Sequence, residues 1–348
     1  MPPTWRKKSQ SSSGTSTTSS GTVKRTSAVT PTSSVPTAST STVTPAPGSS
    51  TVVAVYVPDW ATFLPQQLPA GVDCVNYCFG DLSTAGEIKD SADAAQLELW
   101  EKSPYHLMYS IGGSDGSENF SEVMANHRSE FFDEIEHVSQ KYGCGIDIDW
   151  EYPGEAGGAK TWSKNDIPNL CQALDGVTSD VSMAIGTDGF TEAEWAMLDG
   201  VIDWFNLMTY DYGGPWVNTV QPLAGVSEVV ETLELIKKQG APMNKIMLGI
   251  PLYGYLFTGA SAFGKKYKTC TGDEIGLNAL PPKGFTPITN GAINTAKNEI
   301  VIYDDESTFA TKLALVSDYG LRGVFFWSAD LDSTTNSRIA QAINTLKN

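Results

Sequence analysis

From residue 52 onward, apolar residues arrive in short runs separated by stretches where they recur every three or four positions. The runs cover 52–57, 74–79, 106–110, 145–149, 182–185, 204–208, 246–250 and 323–327. Such brief, mostly apolar runs fit strands covered on both faces in a parallel sheet. Helical spacing fills the gaps, most clearly at 131–142, 167–177 and 226–238. Eight strands alternating with helices predict an α/β fold, a parallel (β/α)8 TIM barrel whose site gathers at the carboxyl ends of the strands.

The first 50 residues follow neither pattern. They are mostly Ser, Thr, Pro and Ala, with Arg6, Lys7, Lys8, Lys24 and Arg25 as their only charges. A segment of this kind buries too little apolar surface to offset its ordering entropy, so residues 1–50 read as a disordered tail or linker and 51–348 as one domain. With those five cations set aside, 18 basic residues face 40 acidic ones, a net charge of −22 for residues 51–348. That surface disfavours nucleic acid and anionic membranes and suits a neutral polymer. No run approaches the length of a membrane span, and the N-terminus carries no apolar stretch of signal-peptide type. Ser/Thr/Pro-rich segments often form stalks of secreted proteins, which points to the extracellular space; a basic, acid-free N-terminus also fits an intracellular tail. Cys74, Cys78, Cys144, Cys171 and Cys270 have apolar neighbours and no metal-like spacing, which predicts mainly buried free thiols.

The chemistry concentrates in one run. Residues 145–153 read Gly-Ile-Asp-Ile-Asp-Trp-Glu-Tyr-Pro, placing Asp147, Asp149 and Glu151 at every second position. Strand side chains alternate, so the three acids share one face while Ile146, Ile148 and Trp150 share the other. Adjacent acids start about 6.7 Å apart, and two ionised ones repel by roughly 2.5 kcal/mol at an effective dielectric near 20. At least one proton is therefore retained near neutrality. A protonated acid beside an ionised one can protonate a glycosidic oxygen while its neighbour steadies the developing cation. A calcium site draws its acids from a flexible Gly/Asn-rich turn, unlike this strand, so no metal and no cofactor is expected.

Tyr56, Phe79, Ser110, Tyr210, Asp211, Tyr253 and Trp327 fall at the same level of the barrel. Singly, each aromatic is more often core than ligand contact. Together around paired acids they suit a sugar ring, whose apolar faces stack while its hydroxyls need polar partners.

The segment Cys144-Gly145-Ile146-Asp147-Ile148-Asp149-Trp150-Glu151 resembles the Asp-x-x-Asp-x-Asp-x-Glu signature of glycoside hydrolase family 18, the chitinases and their relatives. The resemblance runs on through Ser110-Ile111-Gly112-Gly113, Met208-Thr209-Tyr210-Asp211, 248–254 and 323–327, and covers residues 52 to about 333. It implies hydrolysis of the β-1,4 bonds of chitin by a monomer, with N-acetylglucosamine oligosaccharides as ligands. Glu151 is the implied general acid, the substrate's own acetamido oxygen the nucleophile, and an oxazolinium the intermediate, with overall retention. Asp149 then holds the acetamido N–H, Asp147 shares a proton with Asp149, and Tyr210 bonds the acetamido oxygen. Asp211, Trp327, Trp216, Tyr56, Phe79, Ser110 and Met208 are implied substrate-binding residues. Spacing alone leaves retaining and inverting outcomes open.

Three departures qualify the match. Cys144 replaces the first Asp, but its parity turns it away from the acids. Ser114-Asp115-Gly116 follow Gly113 where many relatives place a Trp, which implies a weaker grip on the leaving side. Only about fifty residues separate Gly254 from Tyr303, a short or rudimentary insertion between strand 7 and helix 7 that implies an open groove and internal cleavage. Two alternatives stay open: an endo-β-N-acetylglucosaminidase acting on N-glycans, and a non-catalytic chitinase-like lectin, against which the retained Glu151 argues.

Overall fold

A computed structural model describes residues 51–89, 94–154 and 163–347. The tail expected at 1–50 lies outside them. Eight parallel strands form the barrel: β1 (Val52–Pro58), β2 (Cys74–Leu82), β3 (His106–Gly112), β4 (Gly145–Asp149), β5 (Val181–Ile185), β6 (Trp204–Leu207), β7 (Ile246–Pro251) and β8 (Gly323–Trp327). Each pairs with its sequence neighbour, and β1 pairs with both β2 and β8, which closes the ring. Every expected run is present, most extended by one to three residues.

Helices between the strands include α1 (Ala94–Glu101), α2 (Phe120–Asn126), α3 (Arg128–Tyr142), α4 (Asp166–Leu174), α5 (Glu192–Leu198), α6 (Val226–Lys238), α7 (Glu306–Asp318) and α8 (Arg338–Lys347). The expected helix at 167–177 ends early at Leu174, because Asp175 turns extended and the Asp-Gly pair is a poor helix former. At α5, Thr191 and Glu194 form a reciprocal capping box that starts the helix cleanly.

Side-chain alternation divides the core. Val53, Val55, Val75, Tyr77, Ile146 and Ile148 point outward against the helices, whereas Ala54, Tyr56, Cys74, Cys78, Met108, Met247 and Phe325 fill the barrel. Cys144 joins the outer layer, as its parity requires, and so alters packing away from the acids. All five cysteines are free, and burial pushes the thiols of Cys171 to about 11 and of Cys144 and Cys270 to about 12. Thiols held that high stay protonated and unreactive.

The insertion between β7 and α7 is short, yet it builds a complete antiparallel sheet. Tyr253–Thr258 sits at its centre, flanked by Glu299–Tyr303 on one side and by Thr269–Cys270 and Ile275–Gly276 on the other. Gly291–Asn294 and Thr286–Ile288 extend the first side. Its apolar face of Tyr253, Tyr255, Phe257, Ile300 and Ile302 packs against Val220 and Leu223 and reaches Tyr210, Trp216 and Trp327. The insertion thus forms one wall above the catalytic end of the barrel. Beyond its last strand, buried Asp304 meets fully buried Lys312 of α7 at 2.5 Å.

Candidate active site

Strand β4 lays the three acids up the barrel axis, from the lumen to the rim. Asp147 is fully buried, Asp149 nearly so, and Glu151, two residues past the strand, is half-buried. Register places Ser110 and Ser182 directly beside Asp147 on the neighbouring strands. Both donate to it, Ser110 Oγ to Oδ2 at 2.6 Å and Ser182 Oγ to Oδ1 at 2.5 Å. Tyr56 donates its hydroxyl to Oδ2 at 2.8 Å, and Asn206 Nδ2 donates to Oδ1 at 3.1 Å and to Tyr56 at 3.0 Å. Two donors on each oxygen leave no lone pair for a cation. Burial lifts Asp147 above the usual carboxylate range, and these four hydrogen bonds offset part of that rise.

Asp149 has the opposite surroundings. Its Oδ1 is buried and has no hydrogen-bond partner among the described residues. Burial first, then the charges of Glu151 and Asp147, hold its pKa well above the ordinary value. Glu151 is pushed to about 7, chiefly by burial; a hydrogen bond from Tyr152 opposes the rise and exposed Asp115 adds to it. Burial also brings Asp211 to about 7 against a 2.7 Å hydrogen bond from Tyr253. Glu151 and Asp211, both brought to about 7, therefore hold part of their protons near neutrality, the condition for general acid chemistry.

The glycines of the 110–113 segment make room for this stack. A Cβ on Gly112, at φ +108°, would lie 2.3 Å from the carbonyl oxygen of Asp149, and one on Gly113, at φ +74°, would meet the Phe79 ring. Only glycine fits both the space and the backbone there.

The sequence-selected aromatics converge. Phe79 stacks on Trp327 with centroids 5.8 Å apart, and Trp327 lies 5.7 Å from Tyr56. Tyr210 is half-buried against Phe325 and Tyr253, near half-buried Met208. Trp216 packs edge-on to Tyr255 and donates Nε1 to the Asp211 carbonyl at 3.1 Å. Asp211 itself stands at φ +62°, beside the barrel mouth.

Several neighbours were not singled out from the sequence. Ser182 and Asn206 are lone polar residues inside apolar strands, and nothing local marks them. Tyr152 follows Glu151 directly, and its ring abuts Gly186 beside a cavity of about 210 Å³ lined by Trp150, Ile185, Thr187 and Phe190. Glu274, from the insertion, accepts from Trp327 Nε1 at 3.2 Å. Trp60 is 67 % exposed yet lies 6.2 Å from Phe79, extending the aromatic row outward.

Residues 52–332 match the family model of the glycosyl hydrolases family 18. The chain belongs to this family. It is a glycoside hydrolase whose matched region coincides with the barrel and its insertion. Chitinase 1 of Aphanocladium album is 27 % identical over 354 aligned residues, taking in 81 % of this chain and 82 % of that protein. Endochitinase 1 of Metarhizium robertsii is likewise 27 % identical over 351 residues, 81 % of each chain. Catalytic domain 2 of the Ostrinia furnacalis group II chitinase superposes with a TM-score of 0.75 at 21 % identity, covering 85 % of this chain and 96 % of that one, a likeness of fold.

Proposed function

We propose that this glycoside hydrolase cuts β-1,4 bonds between N-acetylglucosamine units within chitin chains, by substrate-assisted retaining catalysis. The observation that carries this reading is the contrast along β4: Asp147 held by four donors, Asp149 raised by burial with a buried oxygen unpartnered, and Glu151 brought to about 7.

Glu151 gives its proton to the glycosidic oxygen as the C1–O bond breaks, and the substrate's acetamido oxygen attacks C1 to form the oxazolinium. Asp149 accepts the acetamido N–H; passing its own proton to Asp147, where the Ser110 or Ser182 hydroxyl turns away to free a lone pair, leaves an anion beside the new positive charge, which favours the transition state over the ground state. Tyr210 donates to the acetamido oxygen. Water then attacks C1, Glu151 takes its proton, and the acetamido group reforms with retained configuration. Asp211 contacts the distorted ring, Ser110 and Tyr56 support Asp147, and Trp327 with Phe79 supplies the ring's apolar floor. Met208 and Trp216 border the sugar-binding rim. Trp60 and Glu274 extend the glycone side. The acidic surface and insoluble neutral substrate suit a monomer working outside the cell.

The test is incubation with N-acetylglucosamine oligomers, colloidal chitin and a high-mannose glycopeptide, following product length and anomeric configuration. Internal cleavage of oligomers to β-anomers supports the proposal. Cleavage of the glycopeptide alone indicates the N-glycan reading, and sugar binding without turnover the lectin reading.

A further inference from the structure

The main chain that carries Glu151 leaves β4 and runs over the barrel rim, where nothing in the strand ladder holds it. Two hydroxyls on one helical segment do so instead. Ser117 is fully buried; its Oγ accepts the N–H of Glu151 at 2.7 Å and lies 2.7 Å from the Gly113 carbonyl, its nearer acceptor, and 3.2 Å from that of Asp149. Ser121, four positions on in the α-helix that follows, donates to Oδ2 of Asp166 at 2.9 Å. That single oxygen also accepts the N–H groups of Gly154 at 2.9 Å and Ser163 at 3.0 Å. Asp166 is itself buried at the start of α4. The stretch from Glu151 to Gly154 is thus pinned at both ends from the 117–121 segment, at one end directly and at the other through Asp166.

An alanine at 117 would keep the packing and lose the acceptor of the Glu151 N–H together with the donor to the Gly113 carbonyl. We infer that Ser117, with Ser121 and Asp166, is a positioning element for the general acid: it fixes the backbone of Glu151 so that the carboxyl meets the glycosidic oxygen, and it acts on proton delivery rather than on sugar binding. This inference rests on the role proposed for Glu151.

The test compares two chitobioside donors, one with a dinitrophenyl aglycone that leaves with little protonation and one ending in a further sugar that needs the full proton. Displacing a reacting group costs on the order of 100-fold where that group is needed. Ser117→Ala is expected to lower kcat on the sugar aglycone by roughly 10- to 100-fold and on the dinitrophenyl aglycone by less than about threefold, with KM within about twofold on both. Ser121→Ala, which removes one of the three bonds at Asp166 Oδ2, is expected to show the same bias at smaller amplitude, and it decides the matter if Ser117→Ala does not fold. Equal losses on both donors, or no loss, overturn the inference. Absence of turnover by the unmutated protein on both donors overturns the role of Glu151 instead.

Discussion

Replacing Glu151 by Gln should make the protein more stable while stopping its chemistry, and the gain should appear only above a definite pH. Burial raises the carboxyl from 4.5 to about 7. Between those values the folded chain binds more protons than the unfolded chain, so stability falls as pH rises through that window. The full separation corresponds to about 3 kcal/mol, and solvent reaching half-buried Glu151 screens part of it, leaving about 2 kcal/mol above about pH 7. Gln carries no charge to desolvate, keeps an oxygen for the Tyr152 hydroxyl, and removes the charge that helps push Asp149 upward. Urea unfolding of both proteins from about pH 4 to pH 8 should give coincident curves at the acidic end and a separation of about 2 kcal/mol in favour of Glu151→Gln at the other. Hydrolysis of N-acetylglucosamine oligomers should vanish while their binding survives. A stability difference that does not vary with pH, or turnover at the unmutated rate, refutes the reasoning.

Three further outcomes follow from the same geometry. The unmutated enzyme should lose kcat/KM on the alkaline side with an apparent pKa of about 7, as Glu151 surrenders its proton, in a pH–rate profile on a soluble oligomer. Trp60→Ala should remove a stacking surface of about 1 kcal/mol, raising KM roughly fivefold for oligomers long enough to pass Phe79 and reach Trp60 and leaving chitobiosides unchanged. Lys312→Ala strands the buried Asp304 carboxyl and should cost about 3–5 kcal/mol in urea unfolding, most of it recovered when Asp304→Asn is added.

How much of this was legible in the chain depends on the distance over which each residue acts. The eight strands could be read because burial on both faces leaves a near-continuous apolar run, and 323–327 and 145–149 match the observed strands end to end. The acid column could be read because alternation along one strand is covalent: Asp147, Asp149 and Glu151 share a face wherever that strand lies. The outward parity of Cys144 follows for the same reason. Helix α6 emerged intact because its apolar stripe repeats without a breaker.

Closure of the barrel settled the remainder. It alone carries Tyr56, Ser182 and Asn206 to Asp147 from 91, 35 and 59 residues away, and those partners are what separate the acid that is hydrogen-bonded from the acid whose buried oxygen has no partner. Identical carboxyls at equal spacing look alike along the chain; their pKa values diverge only once burial and neighbours differ. The row from Trp60 through Phe79 to Trp327, the Glu274 contact from the insertion, and the two serines bracing the Glu151 backbone likewise join residues with no local relation. Periodicity in the sequence determines which way a side chain faces, whereas strand register and ring closure decide what it faces.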